Sequence, residues 1–305
     1  RLSGPDIDRT SCLNQDRPVP SSPRHPDLPT VRDRVVVVTG AARGIGRATA
    51  ARFAEAGARV LVGDLDTEAA REAALAIGAA VGDPGRVRAV HVDVTDRASY
   101  AALVAEAEAW GPVEVLVNNA GIMPLGPLLE QGEASIDTTI AVNLRAVVTG
   151  TRLVAPGMVE RGRGHVVNVA SAVGRVGLAG GAVYSASKFG VVGFSEAALG
   201  ELAPHGVHVS CVLPTVVATE LAAGVHATRG MRPCTPEEVA DTVLDVVRRP
   251  RFETWVPGYA KALFHTSNAL PRRARDLLSH ALGADATLTH VDTGARADYE
   301  RRAGR

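Results

Sequence analysis

The sequence predicts a doubly wound, mostly parallel α/β sheet in a single domain, with helices on both faces. Three observations carry that expectation. Short, continuously apolar runs recur along the chain, and Ala-rich stretches with helical periodicity separate them. The first apolar run also ends in a glycine-rich turn that opens directly into the first helical stretch. Continuous apolar runs suit strands buried on both faces, as parallel sheets require, and regular strand–helix alternation implies right-handed crossovers.

In chain order the expected strands are residues 34–39 (RVVVVT), 59–64 (RVLVGD), 87–94 (VRAVHVDV), 113–120 (VEVLVNNA), 165–171 (HVVNVAS) and 208–214 (HVSCVLP), with a weaker one at 254–257 (TWVP). Helical periodicity is plainest over 46–56, 68–77 and 97–110. No repeat of fixed period is visible, and no linker interrupts 31–260, so residues 31–257 read as one domain. Residues 1–30 hold six of the 18 prolines among polar neighbours and read as a disordered leader. Residues 258–283 read as an amphipathic extension, in which Leu263, Leu270, Leu277 and Leu278 alternate with Arg272, Arg273 and Arg275. Packing on the core or on a neighbouring subunit is the expected role of that extension, with membrane-surface binding as the alternative. Residues 284–305 read as a loosely ordered tail.

Composition is that of an ordinary globular protein, with 46% hydrophobic and 22% charged residues. Lys+Arg and Asp+Glu are equal at 33 each, so nothing calls for nucleic acid or an anionic membrane as partner. Cys12, Cys211 and Cys234 are too widely spaced for a disulfide framework or a zinc site, and no metal is expected. A reducing cytoplasm is the natural compartment. No apolar run approaches the ~20 residues that span a bilayer, and the N-terminal residues lack the apolar core of a signal peptide.

The chemistry starts at the glycine turn, Thr39-Gly40-Ala41-Ala42-Arg43-Gly44-Ile45-Gly46. Strand, glycine turn and helix start together make an anion site. Glycines let backbone approach a pyrophosphate, and the unpaired N–H groups and dipole of the helix meet its charge. A purely structural tight turn is the bland alternative. Asp64 ends the second strand, where a carboxylate can accept both adenosine ribose hydroxyls and repel a 2′-phosphate; it could instead cap the next helix, although Asp66 is better placed for that. Arg43 points the other way, since a guanidinium in the loop can meet a 2′-phosphate. The repulsive carboxylate should dominate, favouring NAD over NADP.

Ser171, Tyr184 and Lys188 form the decisive group. Tyr184 and Lys188 are four apart in a helix-like stretch and so share a face. Lysine occurs only at 188 and 261 in this arginine-rich chain, which suggests that a compact ammonium is required at 188. A phenol with an ordinary pKa of ~10 is a poor base at neutral pH. A neighbouring ammonium and an oxidised nicotinamide both favour the phenolate. Ser171 can hold a substrate oxygen beside Tyr184, and the cofactor carries the hydride.

Taken in order, TGAARGIG at 39–46, Asp64, Asp93-Val94, NNAG at 118–121, Asn143, and Ser171 with YSASK at 184–188 resemble the short-chain dehydrogenase/reductases, across about residues 33–257. The resemblance implies a Rossmann-like fold and an enzyme that interconverts a secondary alcohol with a ketone or aldehyde, using NAD(P). It implies that Asp93 meets the adenine amino group and that Val94 makes a backbone contact there. Asn118, Ala120 and Gly121 would shape the groove floor, and Tyr184 and Lys188 would flank the nicotinamide ribose. Asn143 would hold a water in a proton relay to Lys188. For Asn143 a buried amide at a helix bend stays open, as does a strand-end cap for Asp93. One departure stands out: Pro214 and Thr219 match the family's loop, but Thr215 replaces its usual glycine.

The expected walls of the substrate chamber are Met123, Pro124 and Leu125, then Val173, Leu178 and Ala179, with a roof of Leu221, Val225 and Met231. Arg175 and His226 are the polar exceptions. A lipophilic alcohol or ketone is expected, bound by a homodimer or homotetramer. Two other classes remain: a catalytically silent NAD-sensing or scaffolding protein on this fold, and an extended-branch epimerase or dehydratase.

Overall fold

The computed structural model describes residues 30–225 and 232–282 and, beyond them, 287–289, 291, 292, 294–296, 299 and 301, apart from some side chains in the last two helices. The leader (but for Thr30), Cys12, His226 and Met231 lie outside the described residues.

The element order is β1 (Val35–Thr39), α1 (Gly44–Glu55), β2 (Arg59–Asp64), α2 (Thr67–Ala80), β3 (Val87–His91), α3 (Arg97–Trp110), β4 (Val113–Asn118), α4 (Glu133–Ile140), α5 (Ala146–Glu160), β5 (Gly164–Val169), α6 (Ala182–Leu202), β6 (Val207–Pro214), α7 (Pro236–Arg248), β7 (Glu253–Val256), α8 (Tyr259–Asn268) and α9 (Arg272–Leu282). The seven strands form one sheet in the order β3-β2-β1-β4-β5-β6-β7, with every pairing parallel.

The run Val35–Thr39 shows why the strands are continuously apolar. Val36 and Val38 join a core with Phe53 of α1 and Val239 and Val243 of α7. Val35 and Val37 join the opposite core with Tyr100 and Leu103 of α3 and Met158 of α5. All four valines are fully buried, each worth roughly 1.5–3 kcal/mol of apolar burial. Helix starts follow their caps. Asp66 accepts from the Ala69 N–H at 3.1 Å, Asp96 accepts from Ala98 and Ser99, and Thr235 with Glu238 forms a capping box at α7.

Three strands end two or three residues earlier than expected, because side chains take over the backbone donors. Beyond β4, the N–H groups of Asn119 and Ala120 both donate to Thr39 Oγ1, at 3.1 and 3.2 Å. Beyond β3, Asp93 accepts from the Thr95 N–H at 2.8 Å and turns the chain. Beyond β5, Ser171 caps the short turn Ala172–Gly174. The strand order reverses between β1 and β4, and there the carboxyl ends of the strands open a crevice, the usual ligand site of such sheets.

Candidate active site

The glycine turn builds one wall of that crevice. Gly40 has φ +62°, and a Cβ there would lie 2.8 Å from Ala120 Cα. Gly44 has φ +52°, with Thr219 Cγ2 3.3 Å from where its Cβ would stand, so Thr219 lies over the turn. Gly40, Arg43, Gly44 and Ile45 line the groove. Gly46 does not: a Cβ there would meet Gly40 O at 2.2 Å, so its bareness lets helix α1 pack on the loop. A cradle that side chains would fill, ending at a helix start, fits a dinucleotide pyrophosphate.

Asp64 is fixed at the groove rim by two backbone donors, Ala42 N to Oδ2 at 2.9 Å and Asp66 N to Oδ1 at 3.1 Å. Arg43 turns to Asp66 at 2.7 Å, half-exposed, and that hydrogen bond raises the guanidinium pKa and lowers the carboxyl. Asp93 and Val94 line the groove beyond Asp64.

Asn118 corrects the sequence reading. Its side chain is buried beneath the groove and does not line it, accepting from Tyr100 Oη at 2.6 Å and donating to Asn168 Oδ1 at 2.8 Å. Asn119 is the groove residue, with Nδ2 donating to the carbonyls of Thr39 and Gly40 at 2.9 and 3.0 Å. Strand periodicity held the signal. Asn118 shares the parity of Leu116, which faces the core under α3 and α5. Ala120 and Gly121 do line the groove.

Ser171, Tyr184 and Lys188 converge where the groove widens. The Lys188 ammonium donates to Val169 O at 3.0 Å and lies 5.8 Å from the centre of the Tyr184 ring. Burial pulls Lys188 down to about 8. Burial also pushes the Tyr184 hydroxyl up to about 12, while the nearby Ser171 hydroxyl acts the other way. The expectation is a phenol pKa drawn down toward neutral pH; with the chain's own groups, desolvation outweighs the lowering effect of Ser171. Asn143 sits in a π-helical stretch (Ala141–Arg145) between α4 and α5, fully buried. Its amide accepts from Ile122 N at 2.8 Å and donates to Ile122 O at 2.8 Å and Ser187 Oγ at 3.1 Å. It is therefore a buried amide at a helix irregularity that also pins the loop after β4.

Thr215 takes the family's glycine position through its N–H, donating to Val256 O at 2.9 Å, with Oγ1 3.6 Å from Cys234 Sγ. Pro214 and Thr219 line the groove.

The crevice continues into one cavity of about 920 Å³. Met123, Val173 and Tyr184 pack with Leu125, Leu178, Leu221 and Val225 at one end of it, whereas the expected walls Pro124 and Ala179 do not line it. Arg175 leaves the wall and pairs with Glu253 at 2.7 Å. Sequence reasoning missed two walls. From α8 come Leu263 and Phe264, the latter stacked on Trp255 at 5.2 Å. From beyond residue 286 come Thr287, Leu288 and Tyr299. The tail read as loosely ordered thus contributes buried residues, Leu288 and Arg296 among them, and no local pattern announces contacts that depend on remote backbone.

A parallel sheet with a dinucleotide cradle at its switch point and a Ser–Tyr–Lys group at the cradle's end defines an oxidoreductase that acts on CH–OH groups with a nicotinamide cofactor. The chain belongs to the short-chain dehydrogenase family, whose model matches residues 34–230. It is 42% identical to D-threitol dehydrogenase of Mycolicibacterium smegmatis over 189 residues, 62% of this chain and 72% of that one. It is 36% identical to a 3-oxoacyl-acyl-carrier-protein reductase of Thermotoga maritima over 220 residues, 72% of this chain and 84% of that one. A short-chain dehydrogenase/reductase from Burkholderia phymatum, solved in complex with NAD, superposes with a TM-score of 0.70 at 28% identity, covering 77% of this chain and 92% of that one.

Proposed function

We propose that the protein interconverts a lipophilic secondary alcohol with its ketone, using NAD, with Tyr184 as the acid/base. The observation that carries the proposal is the convergence of Tyr184, Ser171 and the buried Lys188 on one cavity, at the head of a largely apolar chamber.

When bound, the nicotinamide accepts hydride from an alcohol carbon or supplies it to a carbonyl carbon. In oxidation Tyr184 Oη takes the proton of the substrate hydroxyl as the C–H hydride leaves; in reduction it returns that proton to the new alkoxide oxygen. Ser171 orients the same oxygen. Lys188, held by Val169 O, keeps positive charge beside the phenol and meets the nicotinamide ribose. The side chain of Asn143, engaged with Ile122 and Ser187, supports a positioning role in a water relay toward Lys188.

Asp64 would receive the adenosine ribose hydroxyls, Asp93 and Val94 the adenine, and Gly40, Gly44 and Ile45 with Thr219 the pyrophosphate. Arg43 paired with Asp66 supports NAD over NADP, because the cation nearest the ribose site is already neutralised. The buried thiols Cys211 and Cys234 suit the reducing cytoplasm, and a homodimer or homotetramer remains the proposed assembly. The threitol of the relative's name suits this chamber poorly: apolar walls strip water from hydroxyls, at about 1–3 kcal/mol for each left unpaired.

Tyr184→Phe is the direct test. A panel of secondary alcohols, followed by absorbance of reduced nicotinamide, should show turnover falling at least ~10²-fold while fluorescence titration shows NADH binding retained. Near-normal turnover sinks the assignment.

A further inference from the structure

We propose that Leu288 and Tyr299, delivered by Arg296, form a third wall of the substrate chamber and set the size of alcohol it admits. This rests on the chamber being the substrate site.

The wall is built into its neighbours. Arg296 is 1% exposed, and its guanidinium donates to three backbone carbonyls: Leu221 at 3.0 Å, Ala223 at 3.1 Å and Met123 at 2.6 Å. Met123 follows β4, whereas Leu221 and Ala223 follow β6, so one side chain ties together the two loops that flank the chamber. A buried guanidinium is tolerated only when so satisfied. Tyr299 completes the clamp. Its hydroxyl accepts from Met123 N at 2.6 Å, and its ring lies 4.9 Å from the Arg296 guanidinium.

Two glycines make room for the segment. Gly180 (φ +78°) would place a Cβ 2.3 Å from Leu288 O, and Gly224 (φ +71°) would place one 2.5 Å from Asp292 O. Asp292 N in turn donates to Gly224 O at 3.1 Å. Backbone therefore crosses both loops at distances that no other residue type would allow. Leu288 and Tyr299 line the same cavity as Tyr184, and Leu288 is 5% exposed. Their side chains stop the chamber where an alkyl chain extending from the reacting carbon would otherwise continue.

The test is a series of 2-alkanols of increasing length, with kcat and KM measured for the parent, Leu288→Ala, Tyr299→Ala and Tyr299→Phe. Leu288→Ala and Tyr299→Ala should raise the ratio of kcat/KM for long over short alcohols at least tenfold, chiefly through KM. Tyr299→Phe, which keeps the ring, should keep the parent's ratio. An unchanged ratio in both alanine variants overturns the proposal, because a merely structural role would depress all alcohols alike. A second readout needs no turnover. Fluorescence titration with 1-anilinonaphthalene-8-sulfonate, at a temperature where all variants are folded, should show several-fold tighter binding to the alanine variants, and equal affinity also overturns the wall. A parent that oxidises no alcohol while dye binding still changes would refute the proposed function and leave the wall standing.

Discussion

Asp64 and Arg43 stand close enough to compete for the same end of a cofactor, and at residue scale their partners decide the contest. Asp64 is held at the rim by the N–H groups of Ala42 and Asp66, so it cannot readily swing away from a 2′-phosphate. Arg43 is half-exposed and bound to Asp66, where such a contact is worth about 1 kcal/mol. A carboxylate against a phosphate in a partly buried groove costs more, so kcat/KM should favour NAD by ~10²-fold or more. Asp64→Ala should narrow that preference, chiefly by improving NADP; steady-state kinetics with both cofactors checks it, and an unchanged ratio rejects the role. Lys188 gives a second prediction. Its ammonium is buried against Val169 O and lies 3.6 Å from where a Cβ on Gly121 would stand. The longer planar fork of Lys188→Arg has no such space, so kcat should fall at least ~10-fold although the charge remains.

At the scale of elements, the pairing of β5 with β6 contains a test of burial. His165 is fully buried, its Nε2 is 2.8 Å from Ser210 Oγ, and its ring lies 5.6 Å from that of His208. Desolvation, helped by His208, pulls its pKa down to about 3. The unfolded chain binds this proton below about pH 6.5 and the folded chain only near pH 3, so stability is fully present above 6.5 and erodes as pH falls toward 3. At pH 5 the loss should be about 2 kcal/mol. Denaturant unfolding at pH 5 and pH 7 should show that gap shrinking in His165→Leu; an equal gap means that other groups cause it. At the other end of β5 the strand delivers Ser171 to its turn, so one element carries both a structural histidine and a site residue.

For the whole molecule, the question is what the residues after β7 do. Helix α8 contributes Ala260 and Phe264 to a core with Trp255, whereas Leu277 of α9 is 72% exposed. Among the described residues no helix is long and apolar enough to cross a membrane. Deleting residues 258–305 strips the partners of Trp255 and the third chamber wall. Losing roughly 2–3 kcal/mol of aromatic burial should lower the melting temperature by about 5–10 °C. Calorimetry checks this, and an unchanged melting temperature would show that the extension adds nothing to the fold.

The sequence by itself determined the sheet, the glycine turn and the Ser–Tyr–Lys group, because each is written in neighbouring residues. Val35–Val38 must be buried on both faces wherever they lie, Gly40 and Gly44 must turn, and a Tyr and a Lys four apart on α6 must share a face. Element ends were less legible. Strand β4 stops at Asn118 because Thr39, 80 residues from Asn119, captures the next donors. Which asparagine lines the groove was legible, since strand parity puts Asn118 on the core face with Leu116 and leaves Asn119 to the groove. Tertiary structure alone decided that Arg43 pairs with Asp66, that Arg175 leaves the chamber for Glu253, and that Arg296 and Tyr299 reach Met123 from more than 170 residues away. Periodicity reports which face of an element is apolar, but backbone carbonyls carry no sequence signature. A contact made to them becomes visible only once the chain has brought distant loops together.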